Sequence, residues 1–116
     1  LSLLGRTVFI CDDTPLMRRS LKRMVERLGA AKEDVHVFSN AEELVEARGV
    51  GDDGAVVYCD MELGAGMSGM EAFRALHRKE AKSIRILVSG YCFTEDELAD
   101  AKAHAQLNKP FNVHQL

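Results

Sequence analysis

Apolar residues gather in five short stretches of the chain, and the segments between them carry helical spacing. Residues 7–11 and 55–59 are continuous apolar runs rich in β-branched and aromatic side chains, as expected of central strands buried on both faces of a parallel sheet. Residues 84–88 repeat the pattern, broken only by Arg85. Residues 35–38 alternate as Val-His-Val-Phe, which fits an edge strand with one wetter face, and Ala-Gln-Leu at 105–107 reads as a short fifth strand. Between the first two strands, Met17, Leu21, Met24, Val25 and Leu28 share one helix face, with Thr14 as cap, Pro15 at the first helical position and Gly29 as stop. Three later helices are predicted to open on a hydroxyl residue with a carboxylate three positions on: Ser39 with Glu42, Ser68 with Glu71, and Thr94 with Glu97. The glycine-rich, acidic stretch 49–54 reads as a loop.

Strand and helix alternate throughout, so the connections must be crossovers. The predicted fold is a doubly wound five-stranded parallel α/β sheet of the flavodoxin-like kind, order 2-1-3-4-5, in one domain over residues 1–116. A fifth helix should follow Phe111, but only residues 112–116 remain, so it is largely absent and the parent protein is expected to continue. Without it, apolar residues of the first and third strands should be exposed, and the chain should self-associate through that face or lose stability.

The composition, 47% hydrophobic and 28% charged, is ordinary for a globular domain, and 116 residues can bury one core without staples. The 15 basic residues are scattered and the net charge is -3, which argues against direct nucleic-acid binding. Cys11, Cys59 and Cys92 form no C-x-x-C pair; Cys11 and Cys59 read as small buried hydrophobes in a reducing compartment. No signal peptide or membrane-spanning run is present in the sequence, so the cytoplasm is the expected location.

In open parallel sheets ligands bind beyond the carboxyl ends of the strands. Asp12 and Asp13 follow the first strand and Asp60 the third, and crowded carboxylates of this kind are tolerated when a cation or a raised pKa relieves them. An all-oxygen ligand set favours Mg²⁺. Ser89 follows the fourth strand as a hydroxyl donor, and Lys109 follows the fifth as a fixed positive charge. These groups suit phosphoryl transfer to a carboxylate: metal and lysine neutralise the phosphoryl oxygens, the hydroxyl binds another, and Asp60, alone on a central strand, attacks. Lys109 precedes Pro110, and an X-Pro bond can be cis. Lys109 is expected to matter for signal more than for folding. Taken singly, an Asp after a strand is usually a cap, Ser-Gly a turn and Lys-Pro a helix end. It is their joint placement after four successive strands that points to chemistry.

With these residues the chain resembles, along essentially its whole length, the receiver domains of two-component response regulators, including the single-domain chemotaxis type. The resemblance rests on Val-Phe-Ile-Cys-Asp-Asp-Thr-Pro at 8–15, Leu28-Gly29, Asp60, Ser89 and Lys109-Pro110-Phe111. It implies that Asp60 is the phosphoacceptor and that Mg²⁺ is held by Asp13, Asp60 and the Glu62 carbonyl, with Asp12 acting through water. Ser89 becomes the switch hydroxyl and the Lys109-Pro110 bond is cis. It also implies a histidine kinase or histidine phosphotransfer protein as phosphodonor and an output domain or target protein as partner, with no direct nucleic acid and no membrane. Such a domain is a signalling module that catalyses its own phosphotransfer and dephosphorylation rather than a conventional enzyme. Two departures stand out. The loop 61–69 is about one residue longer than the usual pattern and lacks its proline, and Gln106 stands where many receivers carry an aromatic residue that reports the hydroxyl's movement. The lead-in at 4–8 is similar to that of receivers attached to hybrid sensor kinases.

The alternatives are weaker. A receiver-like interaction module acting without phosphorylation has no need for the complete acidic, hydroxyl and lysine set. A haloacid-dehalogenase enzyme, in which Glu62 would be the general acid, leaves Asp12 and Asp13 idle and lacks room for a cap. A flavodoxin needs a Ser/Thr-rich phosphate loop where this chain is acidic.

Overall fold

The structure, a computed structural model, describes residues 2–111. In it the apolar runs lie side by side as β1 (Val8–Cys11), β2 (Val35–Phe38), β3 (Val56–Asp60), β4 (Ile84–Ser89) and β5 (Ala105–Asn108), every pairing parallel and the order β2-β1-β3-β4-β5. The crossovers carry α1 (Pro15–Arg27), α2 (Ala41–Val45), α3 (Gly69–Arg78) and α4 (Glu95–Asp100), with a 3-10 turn over Lys32–Asp34 ahead of β2. β3, β4 and β5 each run one residue beyond the predicted end, because Asp60 pairs with Val88 and Ser89 with Asn108. The carboxylate and the hydroxyl therefore sit on the last rungs of the sheet, not in free loop.

Alternation along the strands divides the core in two. Val8, Ile10, Val56, Tyr58, Ile86, Val88 and Leu107 face α1, where Leu21, Met24 and Val25 complete one cluster. Phe9, Cys11, Val57, Cys59 and Leu87 face the other way, against Ala41, Leu44 and Val45 of α2 and Ala72, Phe73 and Leu76 of α3. Cys11 and Cys59 are opposite each other in register and fully buried, as small hydrophobes would be. Among the described residues no helix is long and apolar enough to cross a membrane.

The caps follow the sequence with one exception. Thr14 accepts from the Met17 amide, and Ser68/Glu71 and Thr94/Glu97 form reciprocal capping boxes. At α2 the cap is Asn40, not Ser39: the Asn40 side chain accepts from the Glu43 amide at 2.9 Å. Asn caps at least as well as Ser, and shifting the start by one residue frees Glu42 from the capping box for another contact.

The predicted fifth helix lies outside the described residues. The expectation of an exposed apolar face is not met: Val8, Ile10, Val56 and Tyr58 are all 0% exposed. Part of the cover comes from the segment ahead of β1. Leu3 is buried in the α1-side cluster, its amide donating to the Leu28 carbonyl, and Phe111 packs against the same cluster.

Arg85, which interrupts the third apolar run, is buried, and the acceptors of its side chain are all main-chain carbonyls. Its Nε donates to Lys102 O at 2.7 Å and a terminal nitrogen donates to Ala81 O at 3.3 Å. Its amide donates to His104 Nδ1 at 2.9 Å, a bond that requires the imidazole neutral at that nitrogen. Burial and the nearby Arg85 guanidinium hold His104 below its usual pKa of 6.5. A base whose pKa is depressed by folding stabilises the native state above its unfolded pKa and loses that contribution as pH falls through the folded value. Denaturant midpoints taken between pH 7.5 and 5.5 should fall more steeply for the native sequence than for His104→Gln; parallel pH profiles would show that the contact carries no such linkage.

Candidate functional site

The carboxyl ends of β1, β3, β4 and β5 open onto a cleft of about 740 Å³ lined by Asp13, Thr14, Asp60, Met61, Glu62, Gly64, Ser89, Gly90, Tyr91 and Lys109. Asp12 lies at its base, fully buried. Asp12, Asp13 and Asp60 each offer a carboxylate oxygen, and these oxygens lie within 4.8 Å of one another. Lys109 projects from the end of β5 with Nζ 3.0 Å from Asp60 Oδ2 and 3.6 Å from Asp12 Oδ2. The Lys109-Pro110 peptide is cis, and the Lys109 amide donates to the Ser89 carbonyl at 2.8 Å.

Asp12 is held in place from several sides. Its Oδ1 accepts from the Thr14 amide at 2.9 Å and the Thr14 hydroxyl at 3.1 Å, and its carbonyl accepts from Arg18 at 2.8 Å. Its Oδ2 is buried with no hydrogen-bond donor. Asp60 Oδ1 accepts from the Glu62 amide at 3.2 Å, which fixes the carboxylate and draws the following loop over it. Ser89 Oγ accepts from the Tyr91 amide at 2.9 Å.

Burial pushes the pKa of Asp60 up and the like charge of Asp12 adds to this, outweighing the opposing pull of Lys109 and the Glu62 amide. Burial alone would lower the pKa of Lys109, but its hydrogen bond to Asp60 and the charges of Asp60 and Asp12 more than compensate and raise it. The lysine is the counter-charge for two buried carboxylates, so its charge bears on folding.

Every side chain singled out in the sequence, namely Asp12, Asp13, Asp60, Ser89 and Lys109, reaches this one corner, and Glu62 lines it. Sequence reading missed Thr14 as a donor to Asp12, Tyr91 as a wall of the cleft, and Gly69, whose α-carbon packs against the Asp60 main chain. It also left open what Gln106 does. Its Oε1 accepts from the Phe93 amide at 2.8 Å and its Nε2 donates to Asn108 Oδ1 at 2.7 Å, so it ties the β4–α4 loop to β5. Tyr91 and Phe93 meet edge to face across that loop, with ring centroids 4.8 Å apart.

A five-stranded parallel sheet of this order, with an acidic cluster facing a lysine and a hydroxyl at the strand ends, defines a doubly wound α/β domain with a charged cleft at the carboxyl edge of its sheet. The family model of the response regulator receiver domain matches residues 8–116, and the chain belongs to that family. Receiver domains are signalling modules of two-component systems, working with histidine kinases or phosphotransfer proteins and with output domains. No curated protein sequence matches the chain. Among solved structures, a response regulator from Colwellia psychrerythraea aligns with a TM-score of 0.74 at 23% identity, covering 94% of this chain and 88% of that one. The Vibrio cholerae chemotaxis protein CheY4 aligns with a TM-score of 0.78 at 18% identity, over 95% and 91% of the two chains. The receiver domain of the Arabidopsis thaliana histidine kinase CKI1, solved as a complex with Mg²⁺, aligns with a TM-score of 0.76 at 21% identity, over 91% and 84%. At these identities the likeness is one of fold.

Proposed function

We propose that residues 1–116 act as one receiver domain that takes a phosphoryl group from a phosphohistidine partner onto Asp60 and passes the event on through the β4–α4 surface. The observation that carries this is the convergence of Asp60 Oδ2 with Lys109 Nζ at 3.0 Å in a cleft that also holds Ser89 and two further carboxylates. In the transfer, an Asp60 carboxylate oxygen forms the new P–O bond as the P–N bond to the donor imidazole breaks, and the departing imidazole nitrogen takes up a proton. Lys109 is positioned to shift from Asp60 towards the phosphoryl oxygens, and the Ser89 hydroxyl to donate to another. The donor is the phosphohistidine of a histidine kinase or phosphotransfer protein; the parent chain is a response regulator or a hybrid kinase.

The residues fit a divalent cation. Asp12 Oδ2 is buried and makes no hydrogen bond, with Lys109 Nζ 3.6 Å away, and three carboxylates share this one corner; such an all-oxygen cluster is what a hard cation satisfies. Asp13, Asp60 and the Glu62 carbonyl would hold Mg²⁺ directly and Asp12 through water, and the ion would supply charge neutralisation of the phosphoryl group. A ligand that binds only the folded pocket raises stability, by about 1.4 kcal/mol at ten times its Kd. Millimolar Mg²⁺ should therefore raise the melting temperature of the native sequence and leave Asp13→Ala nearly unmoved. Incubation with acetyl phosphate and Mg²⁺ should add one phosphoryl group by mass. A protein that takes up neither ion nor phosphoryl group acts as an interaction module, and the present reading then fails.

Movement of the Ser89 hydroxyl to a phosphoryl oxygen removes the acceptor of the Tyr91 amide, two residues from the Phe93 amide that Gln106 holds. The output change thus runs through a polar tie at the position where many receivers use an aromatic ring.

A further inference from the structure

Glu42, left free by the shifted cap of α2, reaches across to the loop that follows Asp60. Its Oε2 accepts from the Met67 amide at 2.8 Å, a contact between residues 25 apart in sequence. Gly66, at φ +88, lies so near that a Cβ there would stand 2.7 Å from the same oxygen. The other end of this loop borders the carboxylate pocket. The Glu62 amide donates to Asp60 Oδ1, and the Cβ position of Gly64 is 3.5 Å from Asp13 Oδ2. Between the two ends Leu63 is buried in the α2–α3 cluster. The loop is therefore fixed at the pocket by Asp60 and at its far end by the Ser68/Glu71 capping box, and Glu42 adds the tie from α2 to the Met67 amide between them. A longer loop with no proline has more conformations to lose, and a charged hydrogen bond is a strong way to select one of them.

We propose that Glu42 is a positioning residue for the phosphoryl-transfer site: by accepting from Met67 it holds the 61–68 loop against the carboxylates, and so sets how tightly Mg²⁺ is bound and how long a phosphoryl group stays on Asp60. This rests on the receiver reading of the pocket. Glu42 itself is exposed and is not among the residues lining the cleft, so it acts through the loop.

Three measurements on the whole chain test it. In metal-free protein, Glu42→Ala should move the amide resonances of Glu62 and Gly64 and speed exchange of the Met67 amide, whereas Glu42→Gln, which keeps an acceptor oxygen, should leave them close to native. The Mg²⁺ dissociation constant and the rate of phosphate loss from Asp60 should each change several-fold, up to roughly tenfold, in Glu42→Ala, with most of the change restored in Glu42→Gln. A surface bond that only adds stability would lower the melting temperature without changing the ion affinity or the phosphate lifetime, and that pattern would overturn the proposal. So would unmoved Glu62 and Gly64 amides in Glu42→Ala, or a Glu42→Gln protein as altered as Glu42→Ala. If the native chain itself takes up no phosphoryl group, the functional reading fails, and the metal-free amide measurements still decide whether Glu42 positions the loop.

Discussion

Asp60→Asn should abolish phosphoryl uptake while leaving the domain at least as stable as the native sequence. The amide has no anionic oxygen to attack phosphorus, so the label should fall to background and not merely decline. Stability should hold because ionised Asp60 is an unfavourable group where it stands: burial and Asp12 raise its pKa. An acid whose pKa is raised by folding stabilises the native state at low pH and loses that contribution as pH rises through the folded value. At neutral pH, replacing it with a neutral isostere therefore relieves repulsion, and Lys109 keeps Asp12 as partner at 3.6 Å. Mass spectrometry after acetyl phosphate treatment, paired with a melt of the same sample, checks both halves. Native-level label in Asp60→Asn would move the acceptor elsewhere; a large drop in melting temperature would mean that the ion pair with Lys109 outweighs the burial of the two carboxylates.

The second large effect is expected at Gly69, the first residue of α3. A Cβ there would overlap the Asp60 carbonyl oxygen and stand 2.9 Å from its carbonyl carbon and 3.1 Å from Met61 Cα. All three are main-chain atoms of the last strand rung and its exit, anchored by the Met61 amide on the Val88 carbonyl at 2.9 Å. Such a clash cannot be relieved by a side-chain rotation. Alanine in a helix is favoured over glycine by about 0.5–1 kcal/mol, whereas forcing atoms into a packed site costs about 1–3 kcal/mol and sometimes more; the steric cost wins. Gly69→Ala should lose about 2 kcal/mol, on the order of 10 °C in Tm for a domain of this size, and should slow phosphoryl uptake because Asp60 is displaced. Gly90→Ala is the control for stability alone, since a Cβ there meets nothing within 4 Å although the residue lines the cleft. A Gly69→Ala protein that melts with the native one would show that the β3–α3 junction yields more readily than its packing indicates.

The fold was legible because each level of the sequence repeats one message: unbroken apolar runs for doubly covered strands, 3.6-residue spacing for α1, and capping pairs at the starts of α3 and α4. The candidate site was legible for a related reason. Its side chains follow strand ends directly, so strand order alone brings them together. What escaped was decided by contacts across the chain. Ser39 and Asn40 are both good caps, and local chemistry does not choose between them. The use of Glu42 depends on Met67, the role of Gly69 on the height of the Asp60 carbonyl, and the partners of Gln106 on a loop whose path no local pattern records. The cover over Tyr58 was misjudged because Leu3 lies ahead of β1, in a segment with no periodic pattern. Arg85 reads as a flaw in an apolar strand until its carbonyl partners are seen.

The position of Lys109 between two buried carboxylates also has a consequence for the order in which the molecule is made. Synthesis runs from Asp12 and Asp13 through Asp60 and Ser89 to Lys109, so the three acids exist as a chain before the lysine that pairs with two of them. Until β5 joins β4, the buried pair Asp12 and Asp60 lacks its lysine, and closing the pocket over two bare carboxylates is opposed by the cost of desolvating them. β5, made after the other four strands of the sheet, is therefore the one that makes the site tolerable, and a chain that has not yet reached it is opposed in closing the pocket.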